Sequence, residues 1–171
     1  MLSFVPLVLS AMLAVPAAAP LSEAAVLEAP TRHIRAMDST MRSLLKRGFR
    51  KSPAFAALVH RLQLSDVIVY VEEVPRLPVA FEGRLIMMPT AHGQRYVRIQ
   101  IARRGSPEDW LAVLGHELQH AVEVAEAANV RDQAGMIELY ERIGMRSGEH
   151  IYDTVAAQEM GRTVRREVSN S

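Results

Sequence analysis

The chain contains 171 residues, of which 49% are hydrophobic and 23% are charged, and its formal net charge is +1. This length and composition are typical of one globular domain with its own hydrophobic core. The nearly balanced charge argues against a nucleic-acid-binding protein, because no strongly basic field is available to hold phosphates. The absence of cysteine excludes a disulfide framework, a cysteine-ligated metal and a thiol nucleophile.

The N-terminal segment has the features of a secretory signal. Its first twenty residues include no charged side chain, and the apolar run from Leu2 to Val15 is interrupted by Pro6 and followed by small residues at 16–19. Such a run is short for a membrane span, and the small residues suit a cleavage site. We therefore expect residues 1–19 to be a signal peptide for export to the periplasm or the extracellular space, which leaves no stable membrane span. The alternative is an uncleaved membrane anchor or an apolar tail.

The next segment predicts a linker and two helices. Residues 20–30 are alanine-rich with prolines at both margins, which is typical of a linker, and a short helix is the alternative. Apolar residues at three- and four-residue spacing from Thr31 to Arg47 predict an amphipathic helix that ends at Gly48. A second helix is predicted over residues 52–62, because Ser52 is a good N-cap and a proline follows it. Its predicted buried stripe consists of Phe55, Leu58, Val59 and Leu62.

Three strands are predicted in the middle of the chain. The β-branched run from Asp66 to Val74 is stopped by Pro75. Two further strands, Arg84–Met88 and Arg95–Arg103, flank a turn-rich connector. In the last strand, alternation places one apolar set on the buried face, namely Val97, Ile99 and Ile101. A three-stranded, mainly antiparallel sheet is therefore expected.

Three helices are predicted after the sheet. The first has an N-cap at Ser106, a proline at the first helical position and acids in the first turn, and its periodicity continues to about Ala128. A short helix is predicted from Gly135 to Ile143 and a last one from Ile151 to Val168. The order of two helices, three strands and three helices over residues 31–171 predicts a single α+β domain.

The first helix after the sheet contains an HExxH motif over residues 116–120. On a helix, residues four apart lie on one face, so the imidazoles of His116 and His120 can hold one metal ion. Glu117 can then reach a water at that ion without being a ligand, which is the arrangement of a zinc hydrolase. Residues 113–122 include no lysine or arginine, as a buried active-site helix requires. The alternative is a helix with two ordinary histidines.

These residues resemble the zincin metallopeptidases, which hydrolyse peptide bonds with one bound Zn²⁺ ion. The resemblance covers the motif helix. It implies that His116 and His120 are zinc ligands, and that Glu117 is the general base that takes a proton from the attacking water and passes it to the leaving amine. It also implies a zincin-like domain and a peptide or protein substrate, held in extended form by an edge strand near the site.

A third protein ligand is expected, because two histidines alone do not hold a catalytic zinc. Glu126 occupies the position at which the HExxHxxGxxH class has a third histidine, so a carboxylate is expected, as in the gluzincins. Glu123 lies about 10 Å along the helix axis from His116, which suits a supporting acid better than a ligand. Glu138 lies on the following helix, from which gluzincins supply such a ligand.

Asp153 is the favoured candidate for the third ligand. Residues 153–157 (DTVAA) resemble the Glu-x-x-Ala-Asp element of several gluzincin families. The small residues Ala156 and Ala157 would let two helices approach closely enough to share a metal. An Asp in place of the Glu is a departure from that element, because its arm is shorter by about one methylene.

Two other classes of protein fit parts of this pattern. A non-catalytic zinc-binding structural protein of the cell envelope would keep the fold and the metal without turnover. A helical adaptor would bind no metal at all. Tyr140, His150 and Tyr152 lie near the ligand candidates in sequence, and ordinary packing is the simplest prediction for each of them.

Overall fold

The computed structural model describes residues 33–78, 81–148 and 151–170. The predicted signal peptide (1–19) and linker (20–30) lie outside the described residues, and so does His150. Within the described ranges, no helix combines the length and the apolar character that a membrane span requires.

Five helices and six strands follow one another along the described residues. They are β1 Ile34–Ala36, α1 Ser39–Lys51, α2 Pro53–Gln63, β2 Val67–Val74, β3 Gly83–Ala91, β4 Gln94–Ala102, α3 Pro107–Glu126, α4 Gln133–Ile143, β5 Met145–Gly148, β6 Ile151–Asp153 and α5 Val155–Ser169. This small mixed domain confirms the predicted α+β class. The predicted stripe of α2 is confirmed too, since all four of its apolar residues are buried.

The main sheet has four strands in the order β1-β2-β4-β3. Within it, β1 pairs with β2 and β2 with β4 in parallel, and β3 pairs with β4 antiparallel. The prediction of a three-stranded, mainly antiparallel sheet was therefore wrong in the number of strands and in their pairing. Residue alternation identifies strands locally, but it does not encode which strand lies beside which.

The β3–β4 hairpin places β3 at one edge of this sheet. The turn between the two strands contains His92 and Gly93, whose φ angles are 51° and 76°. Positive φ at both central residues is what a two-residue type I′ hairpin turn requires. On β4, Val97, Ile99 and Ile101 are buried as predicted.

The predicted helix from Thr31 to Gly48 was wrong at both ends. Ile34–Ala36 forms a strand instead, and Asp38 then caps α1 by accepting a hydrogen bond from the Met41 N–H at 2.8 Å. The helix continues through Gly48 to its last residue at 51. A Cβ at Gly48 would lie 2.9 Å from Leu111 Cδ2, so this glycine permits close packing rather than ending the helix.

The predicted last helix also began too early. Ile151–Asp153 pairs with β5 in a separate two-stranded sheet, so α5 begins only at Val155. Thr154 caps it, because the hydroxyl accepts a hydrogen bond from the Ala157 N–H at 3.1 Å. The helical periodicity of the segment concealed a strand of three residues, which is too short to show alternation.

The motif helix α3 begins as predicted. The Ser106 hydroxyl accepts from the Asp109 N–H at 3.2 Å, and Asp109 Oδ2 accepts from the Ser106 N–H at 2.8 Å, which completes a capping box. The helix packs against the sheet on one side and against α5 on another. It is therefore the element around which the rest of the domain is assembled.

Glycines bring α3 and α5 close together. A Cβ at Gly115 on α3 would lie 2.8 Å from Val164 Cγ2, and a Cβ at Gly161 on α5 would lie 3.2 Å from the Ala112 carbonyl oxygen. Of the two small residues predicted to serve this approach, Ala157 is buried but Ala156 is exposed. The prediction was wrong for Ala156, because the α5 face that meets α3 repeats every three to four residues and does not include it.

Arg95 holds the C-terminal end of α3. Its side chain is 1% exposed and pairs with Asp66, with an Nη2–Oδ1 distance of 2.5 Å. The guanidinium also donates to backbone carbonyls at and just after the end of α3, namely those of Val124 at 2.6 Å, Ala125 at 2.8 Å, Ala127 at 2.8 Å and Val130 at 3.2 Å. The carbonyls of Val124 and Ala125 belong to the last turn of α3, and a cation at this end also complements the helix dipole.

Replacing Arg95 by Ala should lower the free energy of unfolding by about 3–5 kcal/mol, because it removes a buried cation together with its ion pair to Asp66 and its hydrogen bonds to four backbone carbonyls. Urea denaturation measures this loss. Arg98→Ala is the matched control on the same strand. The Arg98 side chain is 41% exposed, and its Nη1 lies 3.8 Å from Glu72 Oε1. The control should lose less than about 1 kcal/mol, and equal losses for the two variants would contradict the role assigned to Arg95.

Candidate metal centre

The two histidines of the motif point their Nε2 atoms at the same place. His116 Nε2 and His120 Nε2 lie 3.2 Å apart, and the ring planes are nearly perpendicular at 80°. The His120 side chain is 8% exposed and that of His116 is 25% exposed. One histidine is therefore held inside the protein, while the other borders the solvent-accessible cleft.

Asp153 joins them from the end of β6. Its Oδ1 lies 3.4 Å from His116 Nε2 and 3.6 Å from His120 Nε2. Among the described residues, these three form the group of His, Asp and Glu side chains close enough together to bind a metal ion. All three are ligand candidates predicted from the sequence.

The three separations agree with the ligands of a tetrahedral zinc. Bonds of about 2.0–2.1 Å at tetrahedral angles hold two ligand atoms about 3.3–3.4 Å apart. The measured distances of 3.2, 3.4 and 3.6 Å bracket that value. An octahedral site with bonds of about 2.1 Å would bring neighbouring ligands to about 3.0 Å. Two nitrogens and one carboxylate oxygen also form the donor set of known catalytic zinc sites, which leaves a fourth position open.

The other two carboxylates weighed for the third position lie elsewhere. Glu138 is exposed on α4 and is not in this group. Glu123 lies behind His120, and its Oε2 is 2.8 Å from His120 Nδ1. That contact makes the Nδ1–H of His120 the donor, so Nε2 is the atom that faces the site and that a metal would bind.

Glu123 also connects His120 to the segment that supplies Asp153. Its Oε1 accepts a hydrogen bond from the Thr154 hydroxyl at 2.7 Å. Thr154 is both the next residue after Asp153 and the N-cap of α5. The positions of the histidine and of the aspartate are therefore linked through one buried carboxylate, which is 9% exposed.

The Asp153 carboxylate is held by its own neighbours. Its Oδ1 accepts from the Thr154 N–H at 2.7 Å, and its Oδ2 accepts from the Gln158 amide at 2.9 Å. Burial alone raises the pKa of this carboxyl, but the His120 and Gln158 side chains and the charge of His116 outweigh it and lower the pKa well below its usual range. The residue is therefore ionised at neutral pH, as a metal ligand must be.

Burial and charge shift the pKa values of the two histidines in opposite directions. Burial lowers the pKa of His116, and the neighbouring His120 lowers it further. Burial also lowers the pKa of His120, but the Asp153 and Glu123 carboxylates outweigh this effect and raise it to about 9. Without metal, His120 is therefore protonated at neutral pH, so a binding metal must displace that proton.

Glu117 lies beside this group but is not part of it. It is 5% exposed, and burial raises its pKa to about 7. That value suits a group that must accept and return a proton near neutral pH. The first residue of β3 makes room for it, since a Cβ at Gly83 would lie 2.8 Å from Glu117 Oε1.

The two tyrosines near the site have different surroundings. The Tyr140 hydroxyl donates to the His120 carbonyl oxygen at 3.1 Å, and its ring meets the His120 ring edge-on at 5.2 Å between centroids. Burial raises the pKa of Tyr140 well above its usual range. Tyr152 instead donates to Glu141 at the surface, at 3.1 Å. Tyr140 therefore supports His120 through packing and one hydrogen bond.

An open cleft of about 1070 Å³ runs past His116, Glu117, His120 and Asp153. Its walls come from β3, α3, α4 and α5. This volume is at the upper end of the range for small-molecule pockets, and it is open enough for an extended chain.

Sequence reasoning missed two features of this centre. The hydrogen bond between Glu123 and Thr154 joins residues far apart in the chain, so no local spacing signals it. The need for glycine at Gly83 follows from the approach of an edge strand to α3, which appears only in three dimensions. Comparison of the chain with protein-family models, curated proteins and solved structures found no match. Its function is therefore inferred from the residues and their geometry.

Replacing Glu123 by Gln should weaken zinc binding by about 10–100-fold, because the acceptor that orients His120 loses its charge. Competition against a chromophoric chelator measures the affinity. Glu138→Gln is the matched control, since this glutamate is exposed and lies outside the metal-binding group. Unchanged affinity in Glu123→Gln would remove Glu123 from the site, and weakened affinity in Glu138→Gln would bring that residue into it.

Proposed function

We propose that the protein is a zinc-dependent metallopeptidase of the zincin type. The observation that carries the proposal is that Glu117 lies beside three candidate metal ligands. These are two imidazoles and one carboxylate, whose ligand atoms are spaced like three corners of a tetrahedron. All four side chains face one open cleft. A zinc site with only a structural role has its coordination closed by protein ligands, whereas three protein ligands beside a cleft leave a position for chemistry.

In this proposal His116, His120 and Asp153 hold one Zn²⁺ ion, which supplies Lewis acidity to the scissile carbonyl and to the attacking water. Glu117 takes the proton from that water on a carboxylate oxygen and then returns it to the nitrogen of the leaving amine. Burial raises the pKa of Glu117, which makes its carboxylate a better proton acceptor, and the charge of a bound Zn²⁺ would act in the opposite direction and help Glu117 return the proton.

The edge strand β3 supports a peptide as the substrate. Among the residues that the structure describes, β3 pairs with β4 and no other strand, so the backbone groups along its other side are not used by a described neighbouring strand. Its residues 83–86 line the cleft next to Glu117. An extended substrate can therefore add to the sheet as a further strand, which holds it by main-chain hydrogen bonds.

The gluzincin-like assignment of the third ligand is part of the same proposal. Asp153 is followed at once by the N-cap of a helix that packs on the motif helix. The position of Asp153 Oδ1, 3.4 and 3.6 Å from the two Nε2 atoms, supports the shorter arm of Asp as sufficient. We also propose that the protein acts outside the cytoplasm, because its N-terminal sequence resembles a secretory signal.

Replacing Glu117 by Gln should lower peptide hydrolysis by about 10²–10⁴-fold, because the amide cannot accept the proton of the attacking water. The stoichiometry of bound zinc should stay the same, because Glu117 is not a ligand. Hydrolysis of casein or of a quenched fluorescent peptide, together with elemental analysis, measures both. Glu126→Gln is the control, since this exposed glutamate of α3 pairs with Arg61 away from the cleft.

Full activity in Glu117→Gln would remove Glu117 from the mechanism. Stoichiometric zinc in the unmodified protein with no turnover of any peptide would instead favour the non-catalytic zinc-binding envelope protein.

A further inference from the structure

We propose that the cleft has an anion-binding end, formed by Arg104, Arg162 and Arg165, that binds a substrate carboxylate on the C-terminal side of the scissile bond. This inference rests on the proposed peptidase function and names its substrate class. The substrates would be peptides with an acidic side chain or a free C-terminal carboxylate within about three residues after the cleaved bond.

The arginines come from two elements that meet at the start of α3. Arg165 on α5 pairs with Asp109 in the first turn of α3, at 2.8 Å. The Trp110 indole N–H donates to the backbone carbonyl of Arg104, so the loop after β4 lies against the same turn. Arg162 lies almost one helical turn before Arg165 on α5. All three line the cleft that contains His116 and Glu117.

The charge of this end is largely uncompensated. Arg104 and Arg162 are exposed, and neither forms an ion pair with a carboxylate of the described residues. The ion pair of Arg165 with Asp109 is also half exposed, so a ligand can compete for the guanidinium. Besides Glu117 and Asp153, the acid in the described lining is Glu82. Arginine side chains bind carboxylates through planar, bidentate hydrogen bonds, so a carboxylate is the ligand that these arginines favour.

The distance from the metal site fits an extended peptide. A Cβ at Gly161 would lie 3.4 Å from His116 Cβ, so the backbone of the next residue, Arg162, lies close to the proposed metal ligands. Arg165 reaches Asp109, which precedes His116 by two turns of α3, or about 10 Å along its axis. An extended chain advances about 3.3 Å per residue. The basic end therefore corresponds to about one to three residues beyond the scissile bond.

The edge strand determines which side of the bond this is. The first residue of β3, Gly83, abuts Glu117, and the other end of β3 lies near the loop before α4, because the Thr90 hydroxyl donates to the Arg131 carbonyl at 2.8 Å. Antiparallel pairing is the more stable arrangement per residue. A substrate strand antiparallel to β3 runs from the α4 end of the cleft towards Gly83, so its C-terminal part meets the arginines.

The opposite end of the cleft is more apolar than the arginine-lined end. Its lining from α4 includes Met136, Ile137 and Tyr140. Side chains on the N-terminal side of the scissile bond would thus meet apolar surface, and those on the C-terminal side would meet guanidinium groups. This asymmetry gives the substrate a direction as well as a charge preference.

Binding to the zinc-loaded Glu117→Gln protein tests the inference without turnover. Trp110 is the single tryptophan of the chain and lies beside the arginines, so its fluorescence reports occupancy of this end. Three short acetylated peptides serve as probes. The first has Glu near its C-terminus and a C-terminal amide, the second has Gln in place of that Glu, and the third is the Gln peptide with a free C-terminal carboxylate. At least one carboxylate probe should bind about tenfold more tightly than the neutral amide, and added salt should reduce the difference.

The double variant Arg162→Gln and Arg165→Gln should abolish this preference, whereas Arg166→Gln should keep it. Arg166 is exposed on the same helix but does not line the cleft. Which of the two carboxylate probes binds tightly distinguishes an acidic side chain from a chain terminus as the ligand. Equal binding of all three probes, or no binding of any, would overturn the inference.

Cleavage of the same peptides by the unmodified protein separates this inference from the proposed function. A higher kcat/KM for a carboxylate peptide, lost in the double variant, supports both. Cleavage without any preference overturns the inference and leaves the peptidase function standing. Arginine-dependent binding of carboxylates with no cleavage of any peptide would support the anion site while contradicting the peptidase.

Discussion

The close approach of α3 and α5 is the constraint on which the candidate site depends. The two histidines belong to α3, but the carboxylate that completes the group comes from the segment that enters α5. With side chains larger than hydrogen at Gly115 and Gly161, the helices would be pushed apart, because the added carbons would lie 2.8 and 3.2 Å from atoms of the other helix. A wider separation would also tend to move the Asp153 Oδ1 atom away from the two Nε2 atoms, from which it lies 3.4 and 3.6 Å.

Once the helices are in contact, buried polar groups determine the positions of the site's atoms. The Glu123 carboxylate accepts hydrogen bonds from the His120 ring and from the Thr154 hydroxyl. It therefore links the histidine to the segment that contains Asp153. At the end of the same helix, the buried Arg95 donates hydrogen bonds to the carbonyls of Val124, Ala125 and Ala127. Such groups are costly to bury alone, and the hydrogen bonds within each cluster offset that cost, which favours side chains that are positioned before a metal binds.

Helix signals in the sequence were reliable where a cap and an apolar period agreed, as at Ser106 and Ser52. The HExxH motif and the carboxylate before α5 could also be named in advance, because the chemistry of a metal site restricts the residue types. The strand Ile34–Ala36 and the hairpin before α5 were missed, because strands of three or four residues carry too little pattern. The order of the sheet, the Glu123–Thr154 hydrogen bond and the arginine-lined end of the cleft arise from contacts between distant parts of the chain, which no local spacing encodes.

The central claim is that His116, His120 and Asp153 together hold one zinc ion. X-ray absorption at the zinc edge, measured on the purified and zinc-loaded full chain, tests it most directly. The account predicts about four nitrogen or oxygen neighbours at about 2.0–2.1 Å, with the outer-shell scattering of two imidazoles. A spectrum with six oxygen neighbours and no imidazole scattering, or a chain that retains no zinc, would contradict it.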